Sequence, residues 1–396
     1  MNAHTYATAR RPNYPLLVCR LLVGLLFIFS GLIKANDPVG FGYKLEEYFE
    51  VFHLTVFSDY AVAIAILLCA LEIILGAFLL LGFAGRLVAW GLLLLIFFFS
   101  FLTFYSAYFE VVKSCGCFGD AIPLTPWQSF GKDVFLFILI LVIFIYRKQI
   151  KPITNSLAVQ MVLGSLIVIV SFGAGIYTYN YLPVIDFLPY KEGNNLPEQM
   201  HVPEGAPADE YQIQYDLKHK QSGEEKTVTD KVYMDEKIWE DDQWEIIGEP
   251  ESKLIKKGFS APIQDLRITD AGGETDFNDE ILANPYYNLL VVAYDLTETN
   301  LDALAKINAT ALNASEQYNV RTVLLTASSA TQVDELDKHL KLFMEPFYAD
   351  AIPLKSTVRS NPGVLLMKDG TVVKKWHYHT FPQFENLAKD YFSKEN

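Results

Sequence analysis

"RLLVGLLFIFSGLIKANDPVGF", Arg20 to Phe41, decides how this chain is read. Leu21 to Ile33 carries no charge. With the residues from Leu16 it approaches the roughly 20 apolar residues that cross about 30 Å of hydrocarbon. Helical spacing puts Arg20, Gly24, Phe27, Gly31 and Lys34 on one face. Glycines on a membrane helix let a neighbouring backbone approach closely. A cation on the same face must meet a partner inside the bundle.

Four further apolar runs follow: Tyr60 to Leu81, Leu87 to Tyr108, Val134 to Tyr146 with its flanks, and Leu157 to Tyr177. The fourth of the five is the shortest. A cleaved signal peptide is disfavoured for the first, because Arg20 interrupts it and no A-x-A-like site follows. In the second run, Cys69, Glu72 and Gly76 share a face. Lys and Arg at the helix ends set the orientation. With the N-terminus inside, Arg10, Arg11, Arg86, Arg147, Lys148 and Lys151 fall inside, and Lys34, Lys44, Lys113 and Lys132 outside. Five crossings then leave the C-terminal half outside a bacterial inner membrane.

Charge divides at the same boundary. Up to residue 183 there are 11 Lys and Arg against 9 Asp and Glu; the remainder holds 21 against 37. So acidic a half repels polyanions, which excludes nucleic-acid binding. Residues 184–258 read as a Pro- and Gly-rich linker and a small β-rich segment, with a hairpin around Ser222-Gly223. From Phe259 a regular order appears. "NLLVVAYDL" and "VRTVLLTAS" are buried strands, and "LDALAKINATALNASEQY" and "TQVDELDKHLKLFM" are helices. "GVLLMKDGTVVKKWHY" is a hairpin turning on Asp369-Gly370. This β-α-β-α-β-β order predicts a mixed sheet with helices on its faces.

The order, ending in "RSNPGVLLMKDGTVVKKW", resembles a thioredoxin fold of the periplasmic peroxiredoxin and TlpA-like branch. The resemblance covers Phe259 to the C-terminus and implies a cis peptide before Pro362. It also implies a C-x-x-C after the first central strand, but Thr297 to Asn300 stand there, and no cysteine follows Cys117. Thiol–disulfide exchange needs a thiolate, so this region alone cannot perform it.

Two cysteines sit in "KSCGCFGD", Lys113 to Asp120, on the outer side. Disulfides persist outside the cytoplasm. A one-residue spacer closes a small, strained ring, and strained, exposed disulfides are the labile, electron-exchanging ones. A static disulfide shaping the loop, or a metal site, are the alternatives. For a metal, two thiolates and His53 fall short of four ligands. Cys19 and Cys69 read as small buried hydrophobes. Arg20 and Glu72 have two readings: a pair that fixes helix packing, or a site for proton handling or a quinone headgroup.

"RLLVGLLFIFSGLIKANDPVGF", "EIILGAFLLLG" and "CGCFGD" together resemble the DoxX-like family, in its MauE-type redox-associated branch, over roughly Leu16 to Tyr146. The resemblance implies a four-helix membrane core linked to extracytoplasmic thiol chemistry, in places coupled to quinone. The expected architecture is multi-domain. A DoxX-like four-helix membrane core (residues 1–150) and a fifth helix (151–183) precede an extracytoplasmic linker and β-rich segment (184–258) and an α/β thioredoxin-like domain without redox cysteines (259–396). The expected function is thiol–disulfide chemistry at Cys115 and Cys117, with a thiol protein client bound by the C-terminal domain and lipid around the bundle. A non-enzymatic membrane assembly factor is the alternative, and a small-solute transporter is disfavoured by the few ionisable groups in the bundle.

Overall fold

The computed structural model describes residues 13–112 and 118–393. Residues up to Asn194, together with those from Leu266, form one compact unit; Asn195–Asp265 form a second.

The first unit begins with helix α1 (Tyr14–Asn36), started by the Asn13 cap, and α2 (Pro38–Val51), started by the Asp37 cap with Pro38 in its first turn. Asp followed by Pro is a strong helix start, since Pro fits where no intrahelical N–H bond is needed. Then come α3 (Ala61–Leu81), α4 (Gly85–Phe109), α5 (Pro126–Ile145) and α6 (Leu157–Asn180). Five helices are long and apolar enough to cross a membrane: α1, α3 with its preceding turn, α4, α5 and α6. Their outward faces remain apolar, with Leu25, Leu94, Phe97 and Ile169 more than half exposed, as a lipid solvent requires. The chain is a multi-pass membrane protein.

Helices α1 and α3 pack most intimately, through the glycines. A β-carbon at Gly76 would lie 2.7 Å from the Gly24 carbonyl oxygen, and one at Gly31 would lie 2.9 Å from the Cys69 carbonyl oxygen. Cys19 and Cys69 are free and buried. α5 starts at a full capping box, with Thr125 and Gln128 each bonding the other's backbone N–H.

In the second unit, α7 (Leu196–Met200) precedes an antiparallel sheet of β1 (Glu210–His219), β2 (Glu225–Thr229), β3 (Trp244–Ile246) and β4 (Glu251–Lys256), with α8 (Asp230–Asp235) after β2. β1 is central and pairs with the other three. The buried core is small, built on Leu196, Leu217, Ile238 and Ile263.

From Leu266 the chain returns to the first unit. It holds α9 (Asn278–Leu282), β5 (Asn288–Val292), α10 (Leu301–Tyr318), β6 (Arg321–Thr326), α11 (Ala330–Leu340), β7 (Glu345–Tyr348), α12 (Ala351–Thr357), β8 (Gly363–Lys368), β9 (Thr371–His377) and α13 (Phe384–Leu387). The sheet order is β7-β6-β5-β8-β9. β5, β6 and β7 run parallel, and β8 and β9 antiparallel. Every residue of β5 is buried, as its unbroken apolar run predicts. Leu304, Ile307 and Ala311 of α10 pack on Leu289, Val291 and Leu324. The Asn361–Pro362 bond is cis, as expected.

Residues 185–194 run as a strap between the bundle and this sheet. The Asn36 side chain donates to the Ile185 carbonyl (2.8 Å) and accepts from its N–H (3.0 Å). Gly193 and Asn194 bond the backbone of Val372, which covers the outer edge of β9. Lys375, buried in β9, donates to Asp186 at 2.7 Å.

Candidate functional site

Cys115 and Cys117 lie outside the described residues. Their flanks are described. On one side Val112 is buried in a cluster with Tyr48 and Leu102. On the other, the Phe118 ring centre lies 5.7 Å from that of Phe29 and 5.3 Å from the Lys132 ammonium. Gly119–Ala121 then form a single 3-10 turn.

Arg20 and Glu72 do not meet, which corrects the sequence reading of a pair. Antiparallel packing of α1 on α3 sets the register. Gly31 faces Cys69 and Glu72, and Gly24 faces Gly76 and Leu80. Arg20 therefore reaches the C-terminal end of α3, where its guanidinium donates to the carbonyls of Leu79 (2.9 and 3.2 Å) and Leu80 (3.2 Å). A cation suits that end, whose last carbonyls lack helical partners. Glu72 pairs instead with Lys34, and both side chains are 3% exposed. Lys34 also faces the rings of Phe99 (4.8 Å) and Phe41 (5.2 Å). The second carboxylate oxygen of Glu72 has no hydrogen-bond partner among the described residues.

A second buried acid lies nearby, and the sequence reading missed it. Asp133 of α5, 1% exposed, accepts from Thr103 (3.0 Å) and pairs with Lys132 (2.6 Å). Its signal was the Lys132-Asp133 pair directly before the apolar run of α5 that begins at Val134. Lys34, Glu72, Lys132, Asp133, Phe99 and Phe118 line one cavity of about 30 Å³. That is room for one or two waters, far below the ~150 Å³ in which benzene binds a protein cavity.

At the same end of the bundle a polar column joins α2 to the C-terminal sheet. Tyr43 donates to the Tyr294 hydroxyl at 3.1 Å. The Lys355 ammonium lies 4.4 Å from the Tyr43 ring and 3.6 Å from the Glu46 carboxylate. Arg359, 7% exposed, donates from Nε to Asp37 at 2.9 Å and from Nη1 to the Lys355 carbonyl at 2.6 Å. Its Nη2 lies 3.5 Å from Asp120. Burial pushes up the hydroxyls of Tyr43 and Tyr294 and the carboxyls of Glu46 and Asp120. Burial also works against the Arg359 charge, but Asp37 and Asp120 outweigh it and leave the guanidinium above its ordinary value.

Thr297–Asn300, the place expected for a C-x-x-C, follow β5 beside Pro362. Thr299 donates to the Asn361 side chain at 2.8 Å, and Asn300 caps α10. A cavity of about 830 Å³ opens there, lined by Tyr294, Glu298, Asn361 and His379, with Asp59 and Tyr179 of the membrane part. No described residue of the lining is a thiol.

Comparison with known proteins gives two similarities. Residues 12–146 match the family model described as methylamine utilisation protein MauE. A 144-residue stretch is 28% identical to Protein TlpB of Flavobacterium psychrophilum. That match covers 35% of this chain and 39% of the relative.

Proposed function

We propose that this membrane protein carries out thiol–disulfide exchange outside the cytoplasm through Cys115 and Cys117, and that its C-terminal region is a thioredoxin-like domain that holds a client without exchanging electrons itself. The MauE-type match and the similarity to TlpB support a membrane protein linked to redox or thiol-related processes. The parallel β7-β6-β5 strands, the antiparallel β8-β9 hairpin and the Pro362 position support the thioredoxin-like reading.

One observation carries the proposal. Val112 and Gly119–Ala121, which bound the Cys-Gly-Cys segment in sequence, sit at the end of the bundle from which Arg359 and the 185–194 strap hold the C-terminal sheet. The C-terminal sheet and the described residues that flank the Cys-Gly-Cys segment in sequence thus belong to one end of the bundle. Lys and Arg at the opposite end, Arg86, Arg147, Lys148 and Lys151, support an outward orientation for it.

The exchange balances without a cofactor. A client thiolate attacks one sulfur of the Cys115–Cys117 disulfide, giving a mixed disulfide and a Cys thiolate. The client's second thiolate then attacks the client sulfur of the mixed disulfide and expels the cysteine bound there. The client leaves oxidised and the pair leaves as a dithiol; run backwards, the same steps reduce a client. A scaffold role is the second reading, favoured by the absence of any cysteine after Cys117. The test is mixed-disulfide trapping. One of Cys115→Ser and Cys117→Ser should capture a client from intact cells. Capture by neither, with the phenotype of both variants intact, supports the scaffold.

A further inference from the structure

We propose that the cavity of about 830 Å³ between the bundle and the C-terminal sheet is the client's seat and takes an extended, basic segment: a Lys or Arg of that segment lies against Glu298 and Asp59, and one of its backbone carbonyls accepts from His377. The inference rests on the client-holding part of the reading above and on no cysteine.

Both parts of the first unit wall this cavity. The bundle supplies Glu46 of α2, Asp59 of the turn before α3 and Tyr179 of α6; the C-terminal region supplies Asp295, Glu298 and His377. The volume falls within the roughly 300–1,000 Å³ of ligand pockets. Against these carboxylates stand Lys355 and Arg359, and both are engaged, Lys355 with Glu46 and Arg359 with Asp37 and Asp120. Asp295 accepts from the N–H and hydroxyl of Thr297. Asp59 and Glu298 are exposed and make no ion pair among the described residues. The acids repel one another: burial raises the Glu46 carboxyl, Lys355 opposes this, and Glu298 raises it further. A cation entering here relieves that repulsion, and Tyr179, 47% exposed, adds an aromatic ring to the wall. Among the described residues no three His, Cys, Asp or Glu side chains converge to hold a metal ion. Acids spread around a wide cavity suit a long, flexible cationic side chain instead.

His377 says what else the ligand carries. Trp376 turns into the core with Leu289 and Leu304, so alternation along β9 turns Lys375 and His377 to the opposite face, where Lys375 meets Asp186. His377 is 4% exposed. Its Nδ1 accepts from the His379 N–H at 3.1 Å, which places the proton of the neutral ring on Nε2. That N–H has no acceptor among the described residues, and His377 lines the cavity. The ligand must therefore offer an acceptor to His377 and a positive charge to the carboxylates. A peptide with Lys or Arg brings both, a carbonyl on its backbone and a cation on its side chain. An anionic lipid headgroup brings the acceptor but is repelled by the acids.

The test uses the full-length protein in detergent and short, cysteine-free, fluorescently labelled peptides of Ser and Gly whose central pair is arginine, glutamine or glutamate. Anisotropy should show the arginine peptide bound most tightly and the glutamate peptide least, with the difference shrinking as salt rises. Glu298→Gln and Asp59→Asn, both at exposed positions, should each weaken the arginine peptide about two- to fivefold and leave the glutamine peptide unchanged. His377→Phe should weaken the arginine and glutamine peptides alike, about threefold or more. Glu316→Gln, which removes an exposed acid of α10 that does not line the cavity, should change nothing. Equal affinity for the arginine and glutamate peptides, or arginine-peptide binding unmoved by both acid variants, overturns the inference while client holding stands. Displacement of the arginine peptide by spermidine, with no effect of His377→Phe, makes this a seat for a small cation and overturns the peptide. Failure to bind any of the peptides overturns the client-holding reading as well, and mixed-disulfide trapping then judges the exchange separately.

Discussion

Glu72 lies in an apolar helix, and its partner decides whether the helix can be there at all. The sequence offered two cations on the facing stripe of α1, Arg20 and Lys34. The helical face was legible, but the register of two antiparallel helices was not, and register chose Lys34. It depends on where Gly24, Gly31 and Gly76 let the backbones touch, which is a property of two segments at once. Removing one member of a buried pair strands the other, at about 3–5 kcal/mol in soluble proteins. Glu72→Ala and Lys34→Met should each lower the thermal stability of the detergent-solubilised protein, and the double variant should be milder than Glu72→Ala alone. Combining Glu72→Ala with Arg20→Met should instead give additive losses. Coupling of Glu72 to Arg20 rather than Lys34 in that cycle would refute the register. His377 makes a pH prediction. Burial first, and His379 second, hold its imidazole down at about 4, from the ordinary 6.5, and its Nδ1 accepts from the His379 N–H at 3.1 Å. Between those values the unfolded chain binds a proton that the folded chain refuses. Its contribution to stability is therefore complete above about pH 6.5 and is lost as the pH falls toward 4. Unfolding midpoints across that range should slope less in His377→Asn than in wild type; parallel curves would deny the histidine this role.

The glycines of α1 and α3 act as one element pair. Gly76→Ala and Gly31→Ala press a methyl against a partner's backbone oxygen, at 2.7 and 2.9 Å. Overpacking of this kind costs about 1–3 kcal/mol. Gly131→Ala, in α5, meets nothing within 4 Å and should be harmless by the same melting assay. Equal melting of all three variants would mean that the helices are free to separate. At this scale the sequence was most readable where one period ran unbroken. The five apolar helices, β5, β6, α10, α11 and the β8-β9 hairpin all announce themselves. α2 was missed because two glycines and four charges break its pattern, although Asp37-Pro38 is a helix start. β7 was missed because four residues, one of them Pro346, make too short a signal; Pro is tolerated there because the strand is at the sheet's edge. Arg359, Asp37 and Asp120 were beyond reach for a different reason. Their meeting joins positions more than 200 residues apart, and no local pattern encodes it.

For the molecule as a whole, a membrane bundle and an α/β region share one compact unit, held at a common end by the strap, the Tyr43–Tyr294 bond and the Arg359 clamp. The cysteines belong to the bundle's sequence and none to the α/β region. Full-length protein carrying both Cys115→Ser and Cys117→Ser should therefore fail to reduce insulin with dithiothreitol beyond the uncatalysed rate; catalysis by that variant would give the α/β region a chemistry that Thr297–Asn300 do not explain. The proposed exchange stands or falls with an outward-facing cysteine pair that cycles. The most direct measurement is labelling of intact cells by a membrane-impermeant maleimide, before and after mild reduction. The oxidised wild type should not be labelled; once reduced it should label at Cys115 and Cys117, the signal should vanish in the double Ser variant, and buried Cys19 and Cys69 should stay silent throughout. Labelling that needs the membrane to be permeabilised, or that is unchanged by reductant and oxidant, would contradict it.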